Sequence, residues 1–204
     1  MAAQVAEVDR AFERDGGFGE LLGVEMSVTE AVANPMVLGV DLHRGAKVIA
    51  TDSPALRCEF CRKLGADLVV DYREEDFVEI VRKAGGANVI LDIVGGPNIE
   101  RNLKAATHDA RIIQLAFAQG SKVEINLMPV MLKRLTYTGS TLRTRPTAFK
   151  TRVARELEEK VWPLIGSEKS KPVVNATFAL ADAAKAHALM ESSTHLGKIV
   201  LKVG

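Results

Sequence analysis

The stretch Val89-Ile-Leu-Asp-Ile-Val-Gly-Gly96 constrains this chain more than any other. It is an apolar run too short for a buried helix, and it stops on two glycines. A strand covered on both faces of a parallel sheet reads this way. Glycines at its carboxyl end accept backbone angles closed to other residues and let a second backbone or a ligand come close. In open parallel sheets ligands sit just beyond the carboxyl ends of the strands, so this is where the chain would hold a nucleotide. Asp92 stands inside the run. A buried carboxylate needs hydrogen-bond donors, and the backbone N–H groups near the glycines are the simplest ones, which gives Asp92 an architectural role.

The sequence around this stretch has a regular rhythm from Gly45 onward. The pattern predicts strands over 47–51, 68–71, 89–92, 111–115, 135–142 and 198–203. Helices are predicted over 54–64, 74–83, 98–106, 127–133, 146–164 and 180–191. Pro54 suits a first helical turn, and the acids at 74–76 suit a helix amino terminus. The 146–164 helix carries Val153, Leu157, Val161 and Leu164 on one face. Alternation at this spacing implies right-handed crossovers and an α/β fold: a doubly wound, mostly parallel sheet in three α/β/α layers. Residues 1–44 are less regular. A helix over 2–14 with Val5, Val8 and Phe12 on one stripe, a short strand over 21–26 and a helical start over 29–32 are expected. Asn34-Pro35 interrupts the last of these. The predicted organisation is an altered or irregular segment at 1–44 and a nucleotide-binding domain at 45–204.

Composition removes several function classes. A formal net charge of +1 over 204 residues supplies no field for nucleic acid. No apolar stretch approaches the roughly 20 residues of a membrane span. The opening residues lack the apolar core of a secretory signal, and two cysteines make no disulfide framework, so a cytoplasmic protein is expected. Cys58 and Cys61 share a helix face, but zinc needs four ligands, and they read as packing thiols. No metal site and no Gly-x-Ser-x-Gly or His-Glu-x-x-His motif is found.

Several motifs occur in order: Gly45-Ala-Lys-Val-Ile-Ala-Thr51, Lys63-Leu-Gly-Ala-Asp67, Asp71-Tyr-Arg-Glu-Glu-Asp-Phe77, Leu91-Asp-Ile-Val-Gly-Gly96, Gly139-Ser-Thr-Leu-Arg143, Ala186-His-Ala-Leu-Met-Glu191 and Gly197-Lys-Ile-Val-Leu201. Together they resemble the zinc-free quinone oxidoreductases of the medium-chain dehydrogenase/reductase superfamily, and within them the p53-inducible type. The resemblance covers about residues 45–204. It implies a Rossmann domain, NADPH as cofactor, a quinone as hydride acceptor, and a homodimer formed through the edge strand at 135–142. Two departures stand beside it. The family's amino-terminal catalytic domain is missing from this sequence. No glycine cluster marks the phosphate-binding turn either; where the family places it, the chain reads Ser27-Val-Thr-Glu-Ala-Val-Ala-Asn34. The first β–α unit is therefore expected to be altered.

The resemblance also assigns cofactor contacts. Ser53 and Arg57 would face the 2′-phosphate of NADPH, where a guanidinium fork meets phosphate oxygens well. Asp52 argues the other way, since an acid at this strand end often binds a ribose 2′-hydroxyl. Tyr72 would lie on the adenosine side, with Val94, Gly95 and Gly96 lining the ribose. Ala116 and Phe117 would approach the nicotinamide, and Thr141, Leu142 and Arg143 match another cofactor-facing turn. His195 sits where relatives carry asparagine near the nicotinamide, and Lys198 follows it; by default such residues are an ordinary surface histidine and a strand-start lysine. No residue is assigned a catalytic role. Three readings compete: an NADPH-dependent quinone reductase, a non-catalytic truncated remnant that binds nucleotide or dimerises, and a methyl-transferring Rossmann enzyme. The missing glycine-rich loop and the later motifs speak against the last.

Overall fold

The computed structural model describes residues 26–30, 46–167, 172–192 and 194–204. Six strands form one sheet: β1 (Met26–Glu30), β2 (Lys47–Asp52), β3 (Leu68–Asp71), β4 (Ala87–Asp92), β5 (Ala106–Gln114) and β6 (Thr136–Gly139). Their order is β3-β2-β1-β4-β5-β6, and every neighbouring pair is parallel. The chain builds outward from β1 through β2 to β3, crosses back, and builds the other way from β4 through β5 to β6. The order reverses between β1 and β4, which is the point where a doubly wound sheet opens a crevice for ligands.

Among the described residues, α1 (Ala55–Lys63) joins β2 to β3, α2 (Phe77–Lys83) joins β3 to β4, and α3 (Asn98–Ala105) joins β4 to β5. Local chemistry sets their ends. Asp76 caps α2 by accepting from the Val78 N–H at 3.0 Å, and the Arg101 guanidinium bonded to the same oxygen holds its carboxyl below the usual range. Gly65, at φ +100°, turns the chain after α1 into β3. Strand residues alternate between two covered faces. Ile49, Val70, Ile90 and Ile112 pack with Phe77 and Val81 of α2 and Leu103 of α3. Their neighbours Val48, Ala50 and Val69 pack with Cys58 and Cys61 of α1, while Val89, Leu91 and Ile113 form a further buried group. Helices therefore cover both faces, as expected of the three-layer fold.

The structure corrects the sequence reading in its first part. Residues 27–30, placed where the phosphate-binding turn should fall and partly read as a helical start, form β1 at the centre of the sheet. The strand expected over 21–26 meets it only at Met26. The physical reason is the site: β2 and β4 each offer an unpaired edge, and an extended segment rich in β-branched residues satisfies both. The expected helix over 2–14, residues 21–25 and everything from 31 to 45 lie outside the described residues.

The carboxyl-terminal third differs in two further ways. The long helix expected over 146–164 is divided into α5 (Thr147–Lys160) and α6 (Trp162–Gly166), because Pro163 cannot donate to a continuing helix and instead serves a new first turn. A strand not foreseen, β7 (Val174–Ala179), pairs in parallel with β8 (Lys198–Lys202) as a separate two-stranded sheet. Between them a single 3₁₀ turn at Leu180–Asp182 leads into α7 (Ala183–Glu191). The short helix α4 (Met128–Leu132) precedes β6 and leaves Leu127, Met128, Met131 and Leu132 exposed.

Candidate cofactor site

The carboxyl ends of the strands make one rim. On the β2–β3 side, Asp52 and Ser53 are buried where β2 ends. The Ser53 N–H donates to Asp52 Oδ1 at 2.7 Å, and the Asp52 carbonyl accepts from the Cys58 thiol at 3.2 Å and from the Tyr72 N–H at 3.4 Å. Ser53 and Tyr72 therefore follow adjoining strand ends, half-buried Arg57 lies in the first turn of α1 beside them, and Tyr72 is 43% exposed. Cys58 and Cys61 are packing thiols. Burial raises both, Cys61 to about 12, so neither is a thiolate near neutrality. No group of three or more possible metal ligands occurs among the described residues.

On the β4–β5–β6 side a buried polar network fixes the loops. Asp92 is fully buried, and its Oδ1 accepts from the Val94 N–H at 2.6 Å and the Gly95 N–H at 2.8 Å. Its Oδ2 accepts from Asn102 Nδ2 of α3 at 3.1 Å. The architectural role read from sequence is what the structure shows. Sequence reasoning missed the adjoining part of the network. Gln114, buried at the end of β5, donates to the Asp92 carbonyl at 3.1 Å and the Ala116 carbonyl at 2.5 Å, and accepts from the Tyr137 hydroxyl of β6 at 2.5 Å. The available signal was a polar residue inside the apolar run Ile112-Ile-Gln-Leu-Ala-Phe117, the same pattern that marked Asp92. Burial and then Asp92 push the Tyr137 hydroxyl up, which keeps it a donor at neutral pH.

The paired glycines serve this loop contact first. Gly95 and Gly96 lie at φ +66° and +54°. A Cβ on Gly95 would stand 2.7 Å from Phe117 Cδ1, and one on Gly96 would stand 2.8 Å from the Gln119 carbonyl. Residues 93–96 and 115–120 are stitched together: Leu115 N–H donates to Asp92, Ala118 to Ile93, Gln119 to Val94, and Gly96 to Gly120. The close approach anticipated for a ligand is made here by protein backbone. Val94, Ala116 and Phe117 remain at the surface of this stitched pair, Phe117 with 46% exposure.

Past β6, the Ser140 N–H donates to the Gln114 carbonyl at 3.0 Å, which carries Thr141, Leu142 and Arg143 to the same rim. Lys150 of α5 donates to the Arg143 carbonyl at 3.0 Å. His195 precedes β8 and Lys198 opens it. The Lys198 N–H is held by the Val173 carbonyl at 2.7 Å, and His195 is half-buried with Nδ1 lacking a hydrogen-bond partner. The structure thus sets eleven of the thirteen residues named from sequence near the strand ends of the main sheet and the other two on the β7–β8 unit.

A family model described as zinc-binding dehydrogenase matches residues 64–201. The chain belongs to the zinc-binding dehydrogenase family. Several of the proteins it is similar to are quinone oxidoreductases. It is 30% identical over 166 residues to a 2-haloacrylate reductase of Burkholderia sp, covering 78% of this chain and 49% of that protein. It is 30% identical over 166 residues to quinone oxidoreductase 1 of Escherichia coli (strain K12), covering 77% of this chain and 49% of the relative. The solved structure of Escherichia coli quinone oxidoreductase complexed with NADPH superposes with a TM-score of 0.79 at 26% identity, over 99% of this chain and 62% of that one. The chain spans about half the length of the curated relatives it matches.

Proposed function

We propose that the chain is the nucleotide-holding part of an NADPH-dependent oxidoreductase that passes hydride to a quinone or related electrophile. One observation carries the reading: the parallel strand ends bring Ser53, Arg57, Tyr72, Val94, Gly95, Ala116, Phe117, Thr141, Leu142 and Arg143 to one rim beside the switch point between β1 and β4. NADPH, when bound, supplies the hydride; the protein supplies position and electrostatics. The donor set fits such a group. Ser53 and Arg57 would take the 2′-phosphate, and Tyr72 the adenosine. Residues 93–96 and 115–118 would flank the ribose and nicotinamide, with Thr141, Leu142 and Arg143 closing the far side. Asp52 is compatible with a 2′-phosphate because its Oδ1 is turned to the Ser53 N–H. His195 and Lys198 would join from the β7–β8 unit.

Support also comes from relatives named as a quinone oxidoreductase and a 2-haloacrylate reductase, and from the NADPH complex of the first. A homodimer is proposed through β6, which pairs only with β5 among the described residues and is flanked by the exposed apolar side chains of α4. The second reading is a chain that holds nucleotide without turnover. Fluorescence titration with NADPH followed by a quinone decides between them. Saturable binding with quinone-dependent NADPH oxidation is expected; binding alone supports the second reading, and absence of binding rejects both.

A further inference from the structure

We propose that Gln114 is the positioning residue that holds the cofactor-side loops in register, an inference that rests on the nucleotide reading above. Its carboxamide is buried and used at every atom. Both N–H groups are spent on carbonyls, those of Asp92 in β4 and Ala116 in the following loop, while its oxygen accepts from Tyr137 of β6. One side chain therefore ties three neighbouring strand ends to the loop that would face the nicotinamide. The arrangement has a fixed polarity. Tyr137 offers a donor to Oε1, so the amide nitrogen must point at the two carbonyls. A carboxylate of the same shape would accept from Tyr137 but set oxygen against two oxygens. Its protonated form would restore a donor to one of them. Gln114→Glu thus converts a fixed tie into one that protonation re-forms. Among the described residues, the titratable residues bonded to Gln114 are Asp92 of β4 and Tyr137 of β6, and Asp92 is held by three donors of its own.

Burial of the introduced carboxyl against two carbonyl oxygens raises it above its free value of about 4.3, so the test uses the full chain with NADP+ as probe and compares Gln114→Glu with wild type at about pH 6 and about pH 8. The ratio of variant to wild-type Kd is expected to be about 10-fold at the higher pH and to fall to about 2-fold at the lower. Taking the ratio removes titration of the cofactor's own phosphate. Amide hydrogen exchange without cofactor, corrected for intrinsic rates, reads the same tie directly. The Ala118 and Gln119 amides, bonded to the Ile93 and Val94 carbonyls, are expected to lose protection in the variant at high pH and regain it at low pH. A Kd ratio that does not move with pH, together with unchanged protection, overturns the proposal. If wild type does not bind NADP+, the nucleotide reading fails and exchange alone judges Gln114. Should Gln114→Glu not fold, Tyr137→Phe takes its place. A roughly threefold loss of protection at Ala118 and Gln119 is expected there, and none overturns the proposal.

Discussion

The six-stranded sheet and the β7–β8 sheet obey the same pairing rule and end in different conditions. Both are parallel. In the large sheet Val48, Ile49, Ile90 and Ile112 are fully buried, with helices on both faces. In the small one Val174 is 51% and Leu201 37% exposed, and α7 is the helix that joins the strands. Parallel sheets ordinarily lie under cover on both sides, and two strands alone are marginal in water. The contrast shows where stability resides among the described residues: in β1–β6 with their helices, and much less in the terminal β–α–β unit.

The comparison is sharpest at Asp92. Asp92→Leu leaves the Val94, Gly95 and Asn102 donors buried without an acceptor and is expected to cost about 4 kcal/mol by urea denaturation. Next comes a matched pair. Ile90→Ala, in the fully buried strand, is expected to cost about 3 kcal/mol, and Leu201→Ala in β8 about 1 kcal/mol or less. Equal losses would break the contrast between the sheets. Gly95→Ala is expected to cost about 2 kcal/mol, because both its positive φ and the Phe117 ring oppose a Cβ. The smallest effect concerns pH. Burial raises Cys61 to about 12 in the folded chain, against an unfolded value of about 9. Its contribution to stability is thus complete below about pH 9 and is lost as pH rises towards 12. The Cys61 thiol is expected to resist iodoacetamide at pH 8 until denaturant is added, as mass spectrometry would read it.

Much of the large sheet was legible in the sequence because β2, β3, β4 and the end of β5 bury two faces, which writes apolar runs such as Val89–Leu91 into the chain. Asp92 stood out for the same reason, as a charge within such a run. Gln114 was legible in principle by that rule and went unread, since its partners Ala116 and Tyr137 are brought together only by the fold. β7 was missed because Val-Asn-Ala-Thr-Phe-Ala alternates weakly and carries Asn175 in its interior. β1 was misread because its surroundings, the edges of β2 and β4, decide its conformation, and these lie far along the chain. The two glycines were placed correctly at a close approach, but sequence could not say that the approaching group is the backbone of residues 117–120.

That backbone contact has a consequence for engineering. Since the segments leaving β4 and β5 share four hydrogen bonds and interlock at Gly95 and Phe117, they behave as one interchangeable part. Transplanting either alone from a relative would import a surface shaped for an absent mate. Redesign of this end of the sheet has to move both together.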